Sequence, residues 1–134
     1  NAYLGLLQMQ LLDRYCSKRS KIFNYYKNEL SDYWCQDSST DFLSSFAYAT
    51  LVANPDEVWI HLKEHNIESR PLIAGSIAKQ PFWKTFVGVE SELKYADQVH
   101  LYGIYLPINP DLTQSDIKRV CNEFKIVAKP YKFE

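Results

Sequence analysis

Asn1-Ala2-Tyr3-Leu4-Gly5-Leu6-Leu7-Gln8-Met9 opens the chain, and Glu68-Ser69-Arg70-Pro71-Leu72-Ile73-Ala74-Gly75-Ser76-Ile77-Ala78-Lys79-Gln80-Pro81 lies at its middle. The first stretch predicts a helix that is apolar almost all the way round. A helix without a polar face normally belongs inside a larger protein. The reading therefore expects this chain to be the back part of something longer. In the second stretch an arginine, a prolyl kink and a glycine turn fall within six residues. That loop reads as one wall of a ligand site.

Outward from the first stretch, the absence of proline predicts one long helix over residues 2–30. Leu4, Leu7, Leu11 and Tyr15 follow the three-to-four spacing of a buried stripe, and Ile22 and Tyr26 continue it. Met9, Leu12, Cys16 and Phe23 add a neighbouring stripe, while Arg14, Lys18, Arg19, Lys21 and Lys27 supply a solvated face. Gly5 costs about 1 kcal/mol relative to Ala inside a helix, so close packing is expected there. A polar stretch over 36–41 follows, then a strand over 46–52. Asn54 as cap, Pro55 at the first helical position and Glu57 predict the next helix. Its inward residues are Val58, Leu62 and Trp59, and Asn66 ends it in a left-handed conformation.

Ile67 to Arg70 predicts a short strand leading into the central loop. Glu90 to His100 reads as helix, and Gly103 to Pro107 as a strand closed by proline. Thr113 with Asp116 caps a last helix whose inward residues are Ile117, Val120 and Phe124. The fold class is α/β (α+β): a long first helix and a short, mainly antiparallel sheet covered by helices.

At 134 residues the chain buries roughly 65–70% of its unfolded surface. Lysine and arginine nearly balance aspartate and glutamate, giving a formal net charge of −1. That argues against nucleic acid as partner, since phosphate binding needs a basic excess. No apolar run approaches the ~20 residues of a membrane span. Cys16, Cys35 and Cys121 are odd in number and contain no CxxC pair, so reduced thiols in a cytoplasmic protein are the simplest reading.

No Gly-rich dinucleotide or phosphate loop is present, because all four glycines are isolated. His61 and His65 stand four apart, but the order is His-Leu-Lys-Glu-His rather than HExxH. They read as a surface pair on a solvated helix, and no metal ligand is assigned. In the central loop, proline biases Arg70 to an extended conformation, and Gly75 allows a sharp turn or close approach of backbone to ligand. Ser76 and Gln80 add hydrogen-bonding groups, and Pro81, Phe82 and Trp83 an apolar floor. An arginine so framed suits a carboxylate or phosphate. The plainer alternative is a surface turn whose arginine pairs with Glu68 or another nearby acid.

Several ordered segments resemble the C-terminal part of the pyridoxal-phosphate-dependent sugar aminotransferases, the DegT/DnrJ/EryC1/StrS family of fold type I. They are the Asn1–Met9 helix, Leu12-Asp13, Lys18-Arg19 and Tyr25-Tyr26-Lys27-Asn28-Glu29-Leu30. Ile67-Glu68-Ser69-Arg70-Pro71 and Leu106-Pro107-Ile108-Asn109-Pro110-Asp111-Leu112-Thr113, with Asp116-Ile117, complete the set. Together they cover residues 1 to about 127.

The resemblance implies a homodimeric enzyme using pyridoxal 5'-phosphate to transfer an amino group to a nucleotide-linked keto-deoxy-hexose, as in lipopolysaccharide or O-antigen sugar biosynthesis. It places the cofactor lysine in an N-terminal domain absent from this sequence, so this chain alone is expected to bind no cofactor and hold no catalytic residue. Substrate binding is expected at Arg70, Gly75, Ser76 and Gln80. Arg70, Ala74-Gly75 and Gln80-Pro81 also resemble the loop of the sugar 3-dehydratase subgroup, with Ser76 in place of an asparagine. A non-enzymatic module docking through the apolar first helix is the reading from another class.

Overall fold

The computed structural model describes residues 2–35, 40, 42–88 and 92–133. A three-stranded antiparallel sheet lies at its centre, built from β1 (Ala47–Leu51), β2 (Arg70–Pro71) and β3 (Gly103–Pro107) in the order β1-β3-β2. Helices α1 (Ala2–Met9), α2 (Leu12–Glu29), α3 (Pro55–Glu64), α4 (Pro81–Phe86), α5 (Lys94–Tyr102) and α6 (Gln114–Val127) surround it, with a 3-10 turn over Ile77–Lys79. The expected fold class is observed.

The two faces of the sheet differ. Tyr48 pairs with Leu106 and Thr50 with Ile104, so these four point to one side, where all are fully buried. Ile22, Phe23 and Tyr26 of α2, Val58 and Leu62 of α3, and Val120 and Phe124 of α6 close the core over them. Two of the polar tips inside, those of Tyr26 and Thr50, donate to backbone carbonyls, while the Tyr48 hydroxyl makes no well-formed hydrogen bond. The Tyr26 hydroxyl donates to the Pro107 carbonyl at 3.0 Å, and Thr50 donates to the Trp34 carbonyl at 2.7 Å. On the opposite face Ala49, Tyr105 and Arg70 lie in register.

Two helix-end signals hold. Thr113 accepts from the Asp116 amide at 3.2 Å while Asp116 accepts from the Thr113 amide at 2.9 Å, a complete capping box. Asn66 ends α3 at φ 55°. Burial pushes the Cys121 thiol up to about 11, which suits a core cysteine rather than a reactive one.

Four expectations need correction. The helix over 2–30 is two segments, α1 and α2, separated by a turn at Gln10 and Leu11. No residue of α1 is buried among the described residues, so burial does not hold the two on one axis. Leu4 and Leu7 are accordingly exposed at 64% and 41% rather than part of a buried stripe, and a Cβ on Gly5 would meet nothing within 4 Å. The strand expected over 67–70 forms only at Arg70–Pro71, where proline is tolerated because β2 is an edge strand. The helix expected over 90–100 runs from Lys94 to Tyr102; residues 89–91 lie outside the described residues, as do most of 36–41. Asn54 precedes α3 without capping its amides. Its side chain instead donates to the Val127 carbonyl at 3.0 Å and accepts from the Lys129 amide at 2.9 Å, tying α3 to the end of α6.

Candidate functional site

Arg70 stands opposite Tyr105 on the outer face of the sheet. Phe46 packs edge-on against the Tyr105 ring, with centroids 5.3 Å apart. Together with Ala47, Ile73 and Pro107 they line a cleft of about 240 Å³ whose rim carries Glu68 and Arg70. The Arg70 guanidinium donates twice to Glu68 Oε1, through Nε at 3.0 Å and through Nη2. The plainer expectation, an arginine paired with Glu68, is thus met. Both side chains are about 70% exposed (70% and 71%), and an ion pair so wetted contributes about 0–1 kcal/mol.

A second cleft of about 430 Å³ lies on the other side of Arg70, between β2, the loop after it and α5. Gly75, Gln80 and His100 line it with Arg70. The loop is built from its own sequence. Leu72 donates to the Gly103 carbonyl at 3.3 Å, extending the β2 ladder, and the Gly75 amide closes a turn on the Leu72 carbonyl at 3.1 Å. Ala74 and Gly75 both adopt left-handed backbone, φ 65° and 51°. Gln80 Nε2 then donates to the Ala74 carbonyl at 2.7 Å and locks the loop shut.

Three of the four expected site residues thus meet at one cleft, and the fourth, Ser76, is set apart. Arg70 and Gln80 reach the second cleft; Gly75 lines it too, but its missing Cβ makes room for His100 rather than for a ligand. Ser76 is fully buried. Its hydroxyl lies against Asp97 of α5 and is the main influence holding that carboxyl below the usual range, with burial acting against it and the Leu93 amide and Lys79 assisting. Neither Ser76 Oγ nor Asp97 Oδ1 completes a well-formed hydrogen bond, so the contact is a loose one.

The lining of these two clefts does not by itself fit pyridoxal phosphate. Arg70 is the single arginine or lysine among the residues lining the two clefts. Lys79, on the same loop, sits 3.7 Å from Asp97 in an ion pair. No step of catalysis is derived through the cofactor from these residues.

One cluster escaped the sequence reading. His61, treated as half of a solvated pair, lies 2.9 Å from Glu123 of α6 and is only 22% exposed. Glu123 lies 62 residues away in the chain, and no spacing rule links it to α3.

The architecture is shared with solved enzymes. A sugar aminotransferase from Micromonospora echinospora superposes with a TM-score of 0.79 at 17% identity, over 91% of this chain and 33% of its own. A DegT DnrJ EryC1 StrS aminotransferase from Brucella abortus gives 0.78 at 17% identity, over 90% and 33%. The GDP-4-keto-6-deoxy-D-mannose-3-dehydratase of E. coli gives 0.75 at 19% identity, over 89% and 33%. The fold is thus that of one part of a fold type I aminotransferase, and the chain spans about a third of the length of these neighbours. No curated protein sequence matches significantly. The DegT/DnrJ/EryC1/StrS aminotransferase family model does, over residues 1–125. The chain belongs to that family.

Proposed function

We propose that this chain is the C-terminal small domain of a pyridoxal-phosphate-dependent enzyme that transfers an amino group to a nucleotide-linked keto-deoxy-hexose. The observation that carries the reading is the family match over residues 1–125, joined to a sheet whose outer face presents an arginine beside an aromatic cleft. The intact enzyme is a cytoplasmic homodimer serving cell-surface sugar biosynthesis, with the cofactor lysine in a preceding domain. The exposed leucines of α1 support this, because they offer an apolar face for the remainder of the protein.

Within the site, Arg70 faces the anionic part of the sugar nucleotide. The wetted Glu68 pair does not oppose this, since a screened partner yields readily to a phosphate held bidentately. Gln80 and Gly75 shape the loop around it, and Ser76 lies buried beneath the loop, beside Asp97 of α5. Arg70, Ala74-Gly75 and Gln80-Pro81 favour a second reading, in which the enzyme is a nucleotide-sugar 3-dehydratase.

The test is turnover by the full-length protein with pyridoxal phosphate, L-glutamate and a nucleotide-linked 4-keto-6-deoxy-hexose, with products identified by mass. An amino sugar is expected, and a 3-deoxy sugar selects the dehydratase reading. A full-length protein that binds the cofactor and converts neither this substrate nor its 3-keto isomer overturns both.

A further inference from the structure

We propose that His61, His65 and Glu123 form a binding site for one divalent metal ion of the zinc class, bridging α3 and α6. The donor atoms are already gathered. Glu123 Oε2 lies 2.9 Å from His61 Nε2 and 3.6 Å from His65 Nε2, and all three lie within 4.8 Å of one another. Donors about 2.0–2.1 Å from zinc stand roughly 3.3–3.4 Å apart at the corners of a tetrahedron. The two edges to Glu123 bracket that spacing, and the edge between the histidine donors is at most 4.8 Å, so an ion enters by drawing the two imidazoles together.

Two further observations show a site prepared for an ion rather than a chance meeting of side chains. His65 Nδ1 lies 2.7 Å from the His61 carbonyl, so Nδ1 carries the proton and donates it, leaving the Nε2 lone pair turned toward Glu123. A backbone carbonyl that sets the tautomer in this way is the usual outer support of a metal-ligating histidine. The imidazole rings lie against each other, with centroids 4.2 Å apart and planes 32° from each other, and both Nε2 atoms stand near the same Glu123 oxygen. For His61 to ligate, its proton moves to Nδ1 and the Nε2 hydrogen bond to Glu123 gives way to two bonds to the ion.

The scaffold is rigid and the charge is suitable. His61 and His65 occupy the last turn of α3 and its C-cap, where the helix dipole favours a cation. Leu62 of α3 and Val120 and Phe124 of α6 are buried in one core cluster, so the helices that carry the ligands are held before any ion arrives. Arg119 Nη1 donates to the His65 carbonyl at 2.9 Å and steadies the C-cap. Two imidazoles and one carboxylate, with 42% of the His65 side chain exposed, leave a corner for water. Nitrogen–oxygen sets of this kind suit zinc, cobalt, nickel and copper rather than calcium or magnesium.

The experiment takes the full-length protein, stripped with a chelator, and titrates it with zinc by calorimetry and with cobalt by visible absorption. One ion per chain at micromolar Kd or tighter is expected, with a cobalt spectrum of low coordination number and a Tm that rises with zinc. Glu123→Gln and His65→Ala should each weaken binding by more than the roughly 10- to 100-fold typical of losing an outer-shell partner. Glu123→Gln keeps the shape of the side chain and an acceptor for His61, so its melt without metal checks the fold. If zinc neither binds nor raises the Tm, or binds equally well to wild type and both variants, the proposal fails and His61–Glu123 is an interhelical hydrogen bond alone.

Discussion

A Cβ placed on Gly75 would lie 2.1 Å from Nδ1 of His100 and 3.2 Å from its Cα. The glycine of the central loop is thus required by α5 as well as by its own φ of 51°. Gly75→Ala should cost about 1–3 kcal/mol, partly from holding alanine in left-handed backbone and partly from the contact. In a His100→Ala background the contact part should return and the backbone part remain. Urea melts of the four proteins of this cycle measure both, and equal costs in the two backgrounds would show that His100 is irrelevant to the glycine.

Arg70 tests the proposed substrate contact. Losing a charge-assisted hydrogen bond typically costs ~1.5–3 kcal/mol, so Arg70→Ala in the full-length enzyme should lower kcat/KM by about 10- to 150-fold. Arg70→Lys should recover only part of this, because lysine lacks the planar fork. Glu68→Gln, which removes the competing partner, should leave kcat/KM equal or higher. Normal turnover by folded Arg70→Ala would make the loop merely structural.

The cap of α6 has a pH signature. Thr113→Ala removes the acceptor of the Asp116 amide and should cost about 0.5–2 kcal/mol at neutral pH. The Thr113 hydroxyl and amide hold the Asp116 carboxyl below its usual range. A lowered carboxylate contributes stability above its unfolded pKa and loses it as pH falls through the folded value. The stability gap between wild type and Thr113→Ala should therefore narrow in acid, and thermal melts from pH 7 downward record it. A constant gap would mean that Asp116 is not part of the cap in solution.

Tyr26 joins α2 to the end of β3. Tyr26→Phe keeps the ring packing but leaves the Pro107 carbonyl without its 3.0 Å donor. A loss of ~1–3 kcal/mol is expected, read from the midpoint of denaturant unfolding with an unchanged slope.

Leu4, Leu6 and Met9 are 64%, 67% and 68% exposed. Leu6→Glu should consequently leave unfolding within about 0.5 kcal/mol of wild type, while reducing self-association of this chain in sedimentation. An unchanged sedimentation profile together with a sharp loss of stability would place Leu6 in a core.

The amino-acid sequence alone determined those elements whose cause is local. The Thr113–Asp116 box marks the start of α6, Asn66 the end of α3, and the apolar run before Pro107 the whole of β3, because each depends on residues within a turn of one another. Ordered motifs along the chain were also enough to identify the family. Only the tertiary structure decided that Arg70 and Tyr105 share a face, since pairing across a sheet joins residues distant in sequence. It turned Ser76 inward against Asp97, gave Gly75 to His100, and brought Glu123 to His61 of α3 and His65 at its C-cap. It also divided the first helix, whose apolar pattern promised burial that no other segment described here supplies. Periodicity reports which face a helix would bury, and the partner that covers it is a property of the assembled molecule.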